Sequence, residues 1–342
     1  MKAIMTQHAH QPHRSSSPRE RGAALLAAML TVALVATFAA SAMWQQWRAI
    51  EVESAERSRI QSAWILVGAL DWSRLILRED SLARNDSTDN LTEPWSIPLE
   101  EARLSTFLSA QNNVSQADDA SAQTDNAFLS GRVTDMQSRM NLTNLVKNKA
   151  IDETALAQFE RLFSYLGLQQ SDVTLISSNM LKAQAANSGD AQNSAIPLMP
   201  QTISQLSWWG VSQTTIARIA PHVTILPMPT KVNVNTAGAE VIWASAVGLD
   251  MSDAQRIIQA RSSNYYKTVA VAAKVLSKPE LMTSTLFDVS SDYFEVRGRM
   301  RIDQTIVEER SLVLKQRGKV RTLWRERGGF IRNESADAMG KS

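Results

Sequence analysis

No cysteine occurs in the 342 residues. That excludes a disulfide framework and a thiolate metal site, so an exported fold must be stable on its core alone. Histidine is nearly as scarce. Of the four, His8, His10 and His13 fall in the first 22 residues, and only His222 follows them. A Ser/His/Asp set or a histidine metal centre therefore has little to be built from, and no metal-ligand spacing is present. Net charge is small too, +2, which gives no argument for a nucleic-acid partner. It is unevenly placed: residues 1–22 carry +3 and the remainder −1. Against these absences, 44% of the residues are hydrophobic and 20% charged. That composition belongs to a chain that folds, and the length suffices for two compact domains.

One stretch lacks charge, proline and glycine altogether. Residues 23–43 read AALLAAMLTVALVATFAASAM. A helix of that length, at ~1.5 Å per residue, spans ~30 Å, the thickness of a bilayer core. The run is apolar on all sides, which predicts a membrane helix rather than an amphipathic soluble one. Residues 1–21 are polar and basic and are expected to be unstructured. Their charge places that end in the cytoplasm and the rest of the chain on the far side of the membrane.

Three readings of this start compete. A cleaved secretory signal needs a short apolar region and a small-x-small exit, whereas this run is long and passes into Trp44-Gln45-Gln46-Trp47. A plain signal anchor is the simplest alternative. The third reading rests on Arg21-Gly22 directly before the uncharged run, which resembles a type IV prepilin-like leader. That resemblance implies cleavage after Gly22, methylation of the new N-terminus at Ala23, and a helix that both anchors the subunit and packs inside a filament. Most members of that family have glutamate as the fifth mature residue, where this chain has Ala27. A carboxylate in a bilayer is costly unless paired, and the family's glutamate is thought to pair with the N-terminal amine of a neighbouring subunit. A chain with Ala27 suits the first or last place in a filament and not a repeating one.

Residues 48–78 contain no proline and only one glycine, Gly68, so the same helix is expected to continue. Ile60, Ala63, Trp64, Val67 and Leu70 fall at helical spacing, with Leu66, Ile76 and Leu77 widening the stripe. Such a face could pack on a sheet and is too short for a coiled coil of several heptads. Trp44 and Trp47 fit an interfacial aromatic belt. Residues 79–127 are polar and turn-rich. Asp118, Asp119 and Asp125 are candidate Ca²⁺ ligands there, but no EF-hand spacing is present and a solvated loop accounts for the composition.

A strand is expected over 129–133, followed by helical patterns to about residue 285. Leu156, Phe159, Leu162, Phe163 and Leu166 make an amphipathic helix ended by Gly167. A polar loop is expected over 183–195 and a second helix over 213–220, ended by Pro221. His222 after it reads as structural or surface. Residues 231–273 resemble a helix-hairpin-helix module, with Thr236 as a plausible N-cap. Val241, Ile242 and Val247 would face a core with Ile257 and Ile258. Such modules often bind DNA backbone through hairpin amides, so DNA binding stands open beside a structural or protein-binding role. Asp250 and Asp253 beside the hairpin are unfavourable to a phosphate, and Lys231, Arg256, Arg261 and Lys267 form no dense basic patch.

Residues 293–324 predict an antiparallel meander with one buried face, which the long N-terminal helix would cover. Phe294, Val296, Met300 and Ile302 alternate with polar residues. Leu312 and Leu314 continue the set, and Val320, Thr322 and Trp324 make a third. Asp303-Gln304 and Arg317-Gly318 are the turns.

Taken in order, these segments resemble the K family of type II secretion systems, minor pseudopilins of the type IV pilin-like class. The resemblance is carried by Arg21-Gly22, Ala27, Glu93-Pro94-Trp95-Ser96-Ile97-Pro98-Leu99 and Gly131-Arg132-Val133-Thr134-Asp135. It also rests on Asn141-Leu142-Thr143-Asn144-Leu145, Val232-Asn233-Val234-Asn235-Thr236-Ala237 and Ser291-Asp292-Tyr293-Phe294. It implies an α+β fold: a pilin-like long N-terminal helix packed on a C-terminal antiparallel sheet, with a large all-helical insertion of helix-hairpin-helix or SAM-like type. The expected divisions are a cytoplasmic prepilin leader at 1–22 and a transmembrane helix at 23–43. The pilin-like helix, loop and first strand follow at 44–148, then the inserted helical domain at 149–287, the C-terminal sheet at 288–326 and a tail at 327–342. The resemblance further implies a non-enzymatic subunit at the pseudopilus tip, single-pass in the cell inner membrane, with a cytoplasmic N-terminus and a periplasmic C-terminal domain. Its partners would be the I and J minor pseudopilins, other pseudopilins and the prepilin peptidase, and not nucleic acid. No cofactor would be required, while family members can bind Ca²⁺. A bulky insertion on a pilin head would obstruct a subunit stacked above it, which suits a tip. The alternative is a membrane-anchored helix-hairpin-helix DNA-binding or uptake protein.

Overall fold

The computed structural model describes residues 18–82, 87–106, 126–187, 196–302 and 305–328. The chain divides into two compact units, 1–60 and 61–342. Helix α1 runs unbroken over Pro18–Leu82, so residues 18–21, expected to be unstructured, are helical. Within the first unit the side chains from Gly22 onward are almost all exposed. The hydroxyls of the apolar run are satisfied by the helix itself: Thr31 Oγ1 donates to Ala28 O at 2.8 Å and Thr37 Oγ1 to Leu34 O at 2.8 Å. This is the arrangement a polar side chain needs where water is absent. Trp44 and Trp47 lie with ring centroids 5.2 Å apart.

The second unit is built on a five-stranded antiparallel sheet. Its strands are β1 (Leu99–Arg103), β2 (Ala127–Asp135), β3 (Tyr293–Ile302), β4 (Thr305–Gln316) and β5 (Lys319–Arg327), in the spatial order β1-β2-β3-β4-β5. The expected strand at 129–133 is thus longer, and β1 lies in a stretch that read as turn-rich. As an edge strand with mostly exposed side chains, β1 carries no clear alternation. The β4–β5 hairpin turns on Arg317 and Gly318, with φ of 50° and 73°. That is the geometry of a two-residue turn matched to strand twist.

The C-terminal part of α1 packs on one face of the sheet through Leu66, Leu70 and Leu77, which are essentially fully buried. The helix approaches closely over a pair of glycines. Gly131 and Gly298 are cross-strand partners, and a Cβ on Gly298 would stand 3.0 Å from Leu66 Cδ2. The buried face lies slightly off the stripe expected from the sequence. Trp64 and Ile60 are 72% and 56% exposed, and Ser62 takes the buried place at the head of the Leu66–Leu70 row.

The opposite face of the sheet is not simply solvated. Met136, Leu226, Tyr293 and Leu312 form a cluster there, with Leu314, Leu323 and Trp324 packed against it. Leu312 and Leu314 therefore do not continue the Phe294/Val296 set. Their neighbours Val307 and Val313 do, since these pair with Met300 and Phe294. Trp324 also leaves the Val320 face, because a bulge slips the β4–β5 register between Leu312↔Trp324 and Val313↔Thr322. One extra residue reverses the side-chain alternation beyond it.

Between β2 and β3 the chain inserts a helical region: α2 (Glu153–Tyr165), α3 (Gln170–Asn187), α4 (Gln213–Ile219), α5 (Ala239–Ser245), α6 (Met251–Ser263) and α7 (Val269–Ala273). One continuous apolar core joins these helices, with Phe159, Leu162, Phe163, Ile176, Ile242 and Ile257 at its centre. Helix α2 stops as expected at Gly167, whose φ of +66° and flanking hydrogen bonds (Gly167 N to Ser164 O, Leu168 N to Phe163 O) make a left-handed C-terminal stop. Helix α3 runs on to Asn187 and absorbs the first residues of the loop expected at 183–195. Ala183 is 1% exposed and holds that turn to the core. The long helix, antiparallel sheet and helical insertion are the architecture that the sequence predicts.

Candidate functional site: the seam between sheet and insertion

The chain leaves the sheet at Asp135 and returns at Ser291, and the sequence stretches that carry the family resemblance converge there. Asp135, 2% exposed, ends β2. It caps the following turn by accepting from Gln137 N at 2.8 Å. Its other oxygen accepts from Thr236 Oγ1 at 2.5 Å, Ser291 Oγ at 2.7 Å and Asn233 Nδ2 at 3.0 Å. Asn233, fully buried, also lies 3.0 Å from Asp89 O, and its Oδ1 accepts from Asn235 N at 2.9 Å. Burial pushes the Asp135 carboxyl up, opposed by the hydroxyl and amide donors around it. Thr236 is therefore not an N-cap. Helix α5 starts at Ala239 with Gly238 before it, and the Asp135 carboxylate, 101 residues away in sequence, takes the Thr236 hydroxyl.

The neighbouring asparagines hold loops. Asn235 pairs with the Tyr266 backbone twice, Nδ2 to O at 2.9 Å and N to Oδ1 at 2.8 Å. Asn141, Thr143 and Asn144 clamp residues 226–230. Asn141 reaches Met228 O at 2.8 Å, Thr143 Oγ1 reaches Leu226 O at 2.6 Å, and Asn144 reaches Thr230 O at 2.8 Å. Each is a side-chain amide or hydroxyl standing in for the strand that a buried loop lacks.

A charged cluster completes the seam. Lys315, on the helix-facing side of β4, donates to Asp80 Oδ2 at 2.8 Å and to the Asp89 carboxylate. Its ammonium also lies 5.0 Å from the centroid of the Phe294 ring. Asp89 accepts from Ser291 N at 2.7 Å, which ties the cluster to the return crossing. Glu93 accepts from Asn90 Nδ2 at 2.7 Å and from Trp95 Nε1. Trp95, 2% exposed, meets Phe294 edge-on at 5.1 Å. Burial pushes Asp89 up to about 7 against the pull of Lys315. Burial likewise pushes Glu93 up to about 8, reinforced by the neighbouring Asp80 carboxyl and opposed by the Trp95 donor. Burial works against the Lys315 charge, yet Asp89 and Asp80 hold its pKa above the ordinary lysine value.

Lys315, Asp80 and Asp89 belong to no local motif, the lysine standing 235 and 226 residues from the two carboxylates along the chain. One signal was available: alternation along β4 puts Lys315 on the face of Val307 and Val313, and a cation at a core-facing position needs buried partners. Glu309 shows the same pattern. It is fully buried and is paired with Arg325 at 2.9 Å and Arg327 at 2.6 Å.

The hairpin between α5 and α6 is dressed by its own chain. Arg161 Nη1 donates to Ala246 O at 2.9 Å and Nη2 to Leu249 O, with its guanidinium 3.9 Å from the Trp243 ring centroid. Gln158 donates to Ser245 O at 2.6 Å. Gly248, at φ +96°, packs under Leu281. Val241, Ile242 and Ile257 are buried and Ile258 partly so, whereas Val247 is 51% exposed. Asp253 does not face outward. It is 2% exposed, accepts from Ser277 Oγ at 3.1 Å and pairs with Arg256. Arg261 is likewise committed, to Val234 O at 2.6 Å, and Lys231 to Asp288 at 3.3 Å. His222 is half-buried, accepts Met140 N on its carbonyl at 2.9 Å, and burial lowers its imidazole pKa. Gly22 and Ala27 are exposed on α1. Asp118, Asp119 and Asp125 lie outside the described residues.

Known proteins match the same stretches. A family model described as "Type II secretion system (T2SS), protein K" matches residues 232–291, and a second of the same description matches residues 138–228. The Type II secretion system protein K of Pseudomonas aeruginosa is 24% identical over 331 residues, 90% of this chain and 93% of that one. The family models and this relative agree on type II secretion system protein K. A further relative of the same description, from Pectobacterium carotovorum subsp. carotovorum, is 25% identical over 344 residues, 91% of this chain and 98% of its own. The fold matches a chain in the crystal structure of the GspK-GspI-GspJ complex from the enterotoxigenic Escherichia coli Type 2 Secretion System. The TM-score is 0.60 at 16% identity, covering 81% of this chain and 99% of that one. The two family models meet in the seam, the first ending at Ser291 and the second beginning three residues past Asp135.

Proposed function

We propose that this chain is a minor pseudopilin at the tip of the type II secretion pseudopilus, where it starts or caps assembly and aids export of folded proteins across the outer membrane. The observation that carries the reading is Ala27 in the fifth place after Gly22, on a pilin-type helix whose sheet bears a large rigid insertion. A subunit without that carboxylate offers nothing to a neighbour's N-terminal amine, and the insertion obstructs stacking above it. The helix within Gly22–Leu82 is long and apolar enough to cross a membrane. It anchors the chain once in the inner membrane, with the cytoplasmic leader cut after Gly22 by the prepilin peptidase, Ala23 methylated and the folded unit in the periplasm. The work is structural rather than enzymatic. Its partners are the I and J minor pseudopilins, and the complex in which the similar E. coli fold occurs supports that pairing. The DNA-binding alternative has less behind it, since three of the four nearby cations are engaged within the chain.

Mass spectrometry of the mature protein from a processing-competent cell is the test. An N-methylated Ala23 is expected, together with co-purification of the I and J subunits from the same cell. An intact Met1, or a chain recovered without either partner, overturns the reading.

A further inference from the structure

The family resemblance implies that calcium can bind, so the carboxylates of the seam can be tested against that ion. Asp80, Asp89 and Glu93 bring one oxygen each to within 4.8 Å of one another, a separation that the 2.3–2.6 Å bonds of a calcium ion can span. Two further observations decide what the cluster holds. Lys315 reaches in from β4 and donates to two of the three carboxylates, so an ammonium stands where a bound ion would. Its side chain is 9% exposed and that of Asp89 2%, so it cannot swing out to solvent without opening the contact between β4 and α1. The third carboxylate is held by Trp95 and Asn90. The residues present fit an internal cation and not an added one.

We propose that the Asp80/Asp89/Glu93 cluster is a cation site whose cation is built into the chain, Lys315, so that the seam closes without a divalent ion and becomes open to one only when Lys315 is removed. The ammonium offers roughly the same reach as a calcium ion, with N–H···O contacts of about 2.8 Å, but one charge instead of two. A network closed this way stays closed at any periplasmic calcium concentration. The seam is then a fixed joint, and any calcium dependence of the chain comes from elsewhere.

Terbium(III), a luminescent substitute for calcium, tests this directly because Trp95 lies against Glu93 and would sensitise an ion in the cluster. The full chain is purified in detergent and terbium emission is excited through tryptophan. Wild type and Trp95→Phe are expected to give the same emission, whatever ions bind elsewhere. Lys315→Met is expected to gain an emission component that Trp95→Phe, Asp89→Asn or excess CaCl₂ removes. A Trp95-dependent signal in the wild type means the ammonium does not fill the site and overturns the proposal, as does its absence in a folded Lys315→Met chain. If Lys315→Met fails to fold in EGTA, millimolar CaCl₂ is expected to restore its circular dichroism; failure to restore it also overturns the proposal.

Discussion

Phe159, Leu162 and Phe163 in the inserted helices, and Asp89, Asp135 and Lys315 at the seam, are all buried but by different physics. The first set sits in a continuous apolar core where affinity is non-directional and roughly proportional to area. A neighbouring leucine there can shift into a vacated volume. The second set is polar and mutually saturated. Asp135 accepts from four donors on three separate stretches, and each donor left over would be a buried group without a partner. The insertion's interior therefore makes a stable body, while the seam determines where that body is fixed on the sheet. The proposed place at a filament end would need the second property as much as the first.

The comparison is sharpened most by Lys315→Met in EGTA. Removing one partner of a buried, hydrogen-bonded ion pair costs about 3–5 kcal/mol, and the loss should appear in chemical denaturation as a lower midpoint. Hydrogen exchange should show it at both sides of the seam, in 232–236 and at the start of β3. Leu162→Ala, a fully buried core truncation, should cost about 2–5 kcal/mol yet leave exchange in β3 and β4 unchanged. If both variants loosen the same amides, the distinction between body and joint fails.

A smaller effect follows from pH. Glu93 is raised from 4.5 to about 8 and Asp89 from 3.8 to about 7 in the folded chain, so the native state holds protons that the unfolded state has released. Their contribution is complete below the unfolded values and is lost as pH rises through about 7 and 8. Thermal midpoints should fall from pH 5 to pH 9, and Glu93→Gln should flatten the upper part of that fall. An unchanged slope would place the titration on other groups.

Much of the fold was legible because it is written locally. The uncharged run, the alternation in β3, the Arg317-Gly318 turn and the Gly167 stop each depend on residues within one turn or one strand. What was not legible depends on distant partners. Leu312 and Leu314 take the other face because the β3–β4 register sets them opposite Glu295 and Tyr293 rather than Phe294 and Val296, and Trp324 joins them because a bulge in β5 shifts its register against β4. Thr236 abandons a capping role because a stronger acceptor arrives from 101 residues away. The seam joins Lys315 to Asp89 across 226 residues, and no spacing in the sequence announces such a pair. The stretches that carry the family resemblance were visible as words, while the physical reason for them, a single shared network, required the three-dimensional arrangement.

The claim that these stretches act as one joint is tested most directly by a double-mutant cycle between Asp135 and Asn233, read as unfolding free energy of the full chain in detergent. Asp135→Ala and Asn233→Ala each break the network alone, so the account predicts strong non-additivity, with a coupling energy of about 1–3 kcal/mol. Additive losses, within about 0.5 kcal/mol, would mean that the buried carboxylate and amide act independently and would contradict the account.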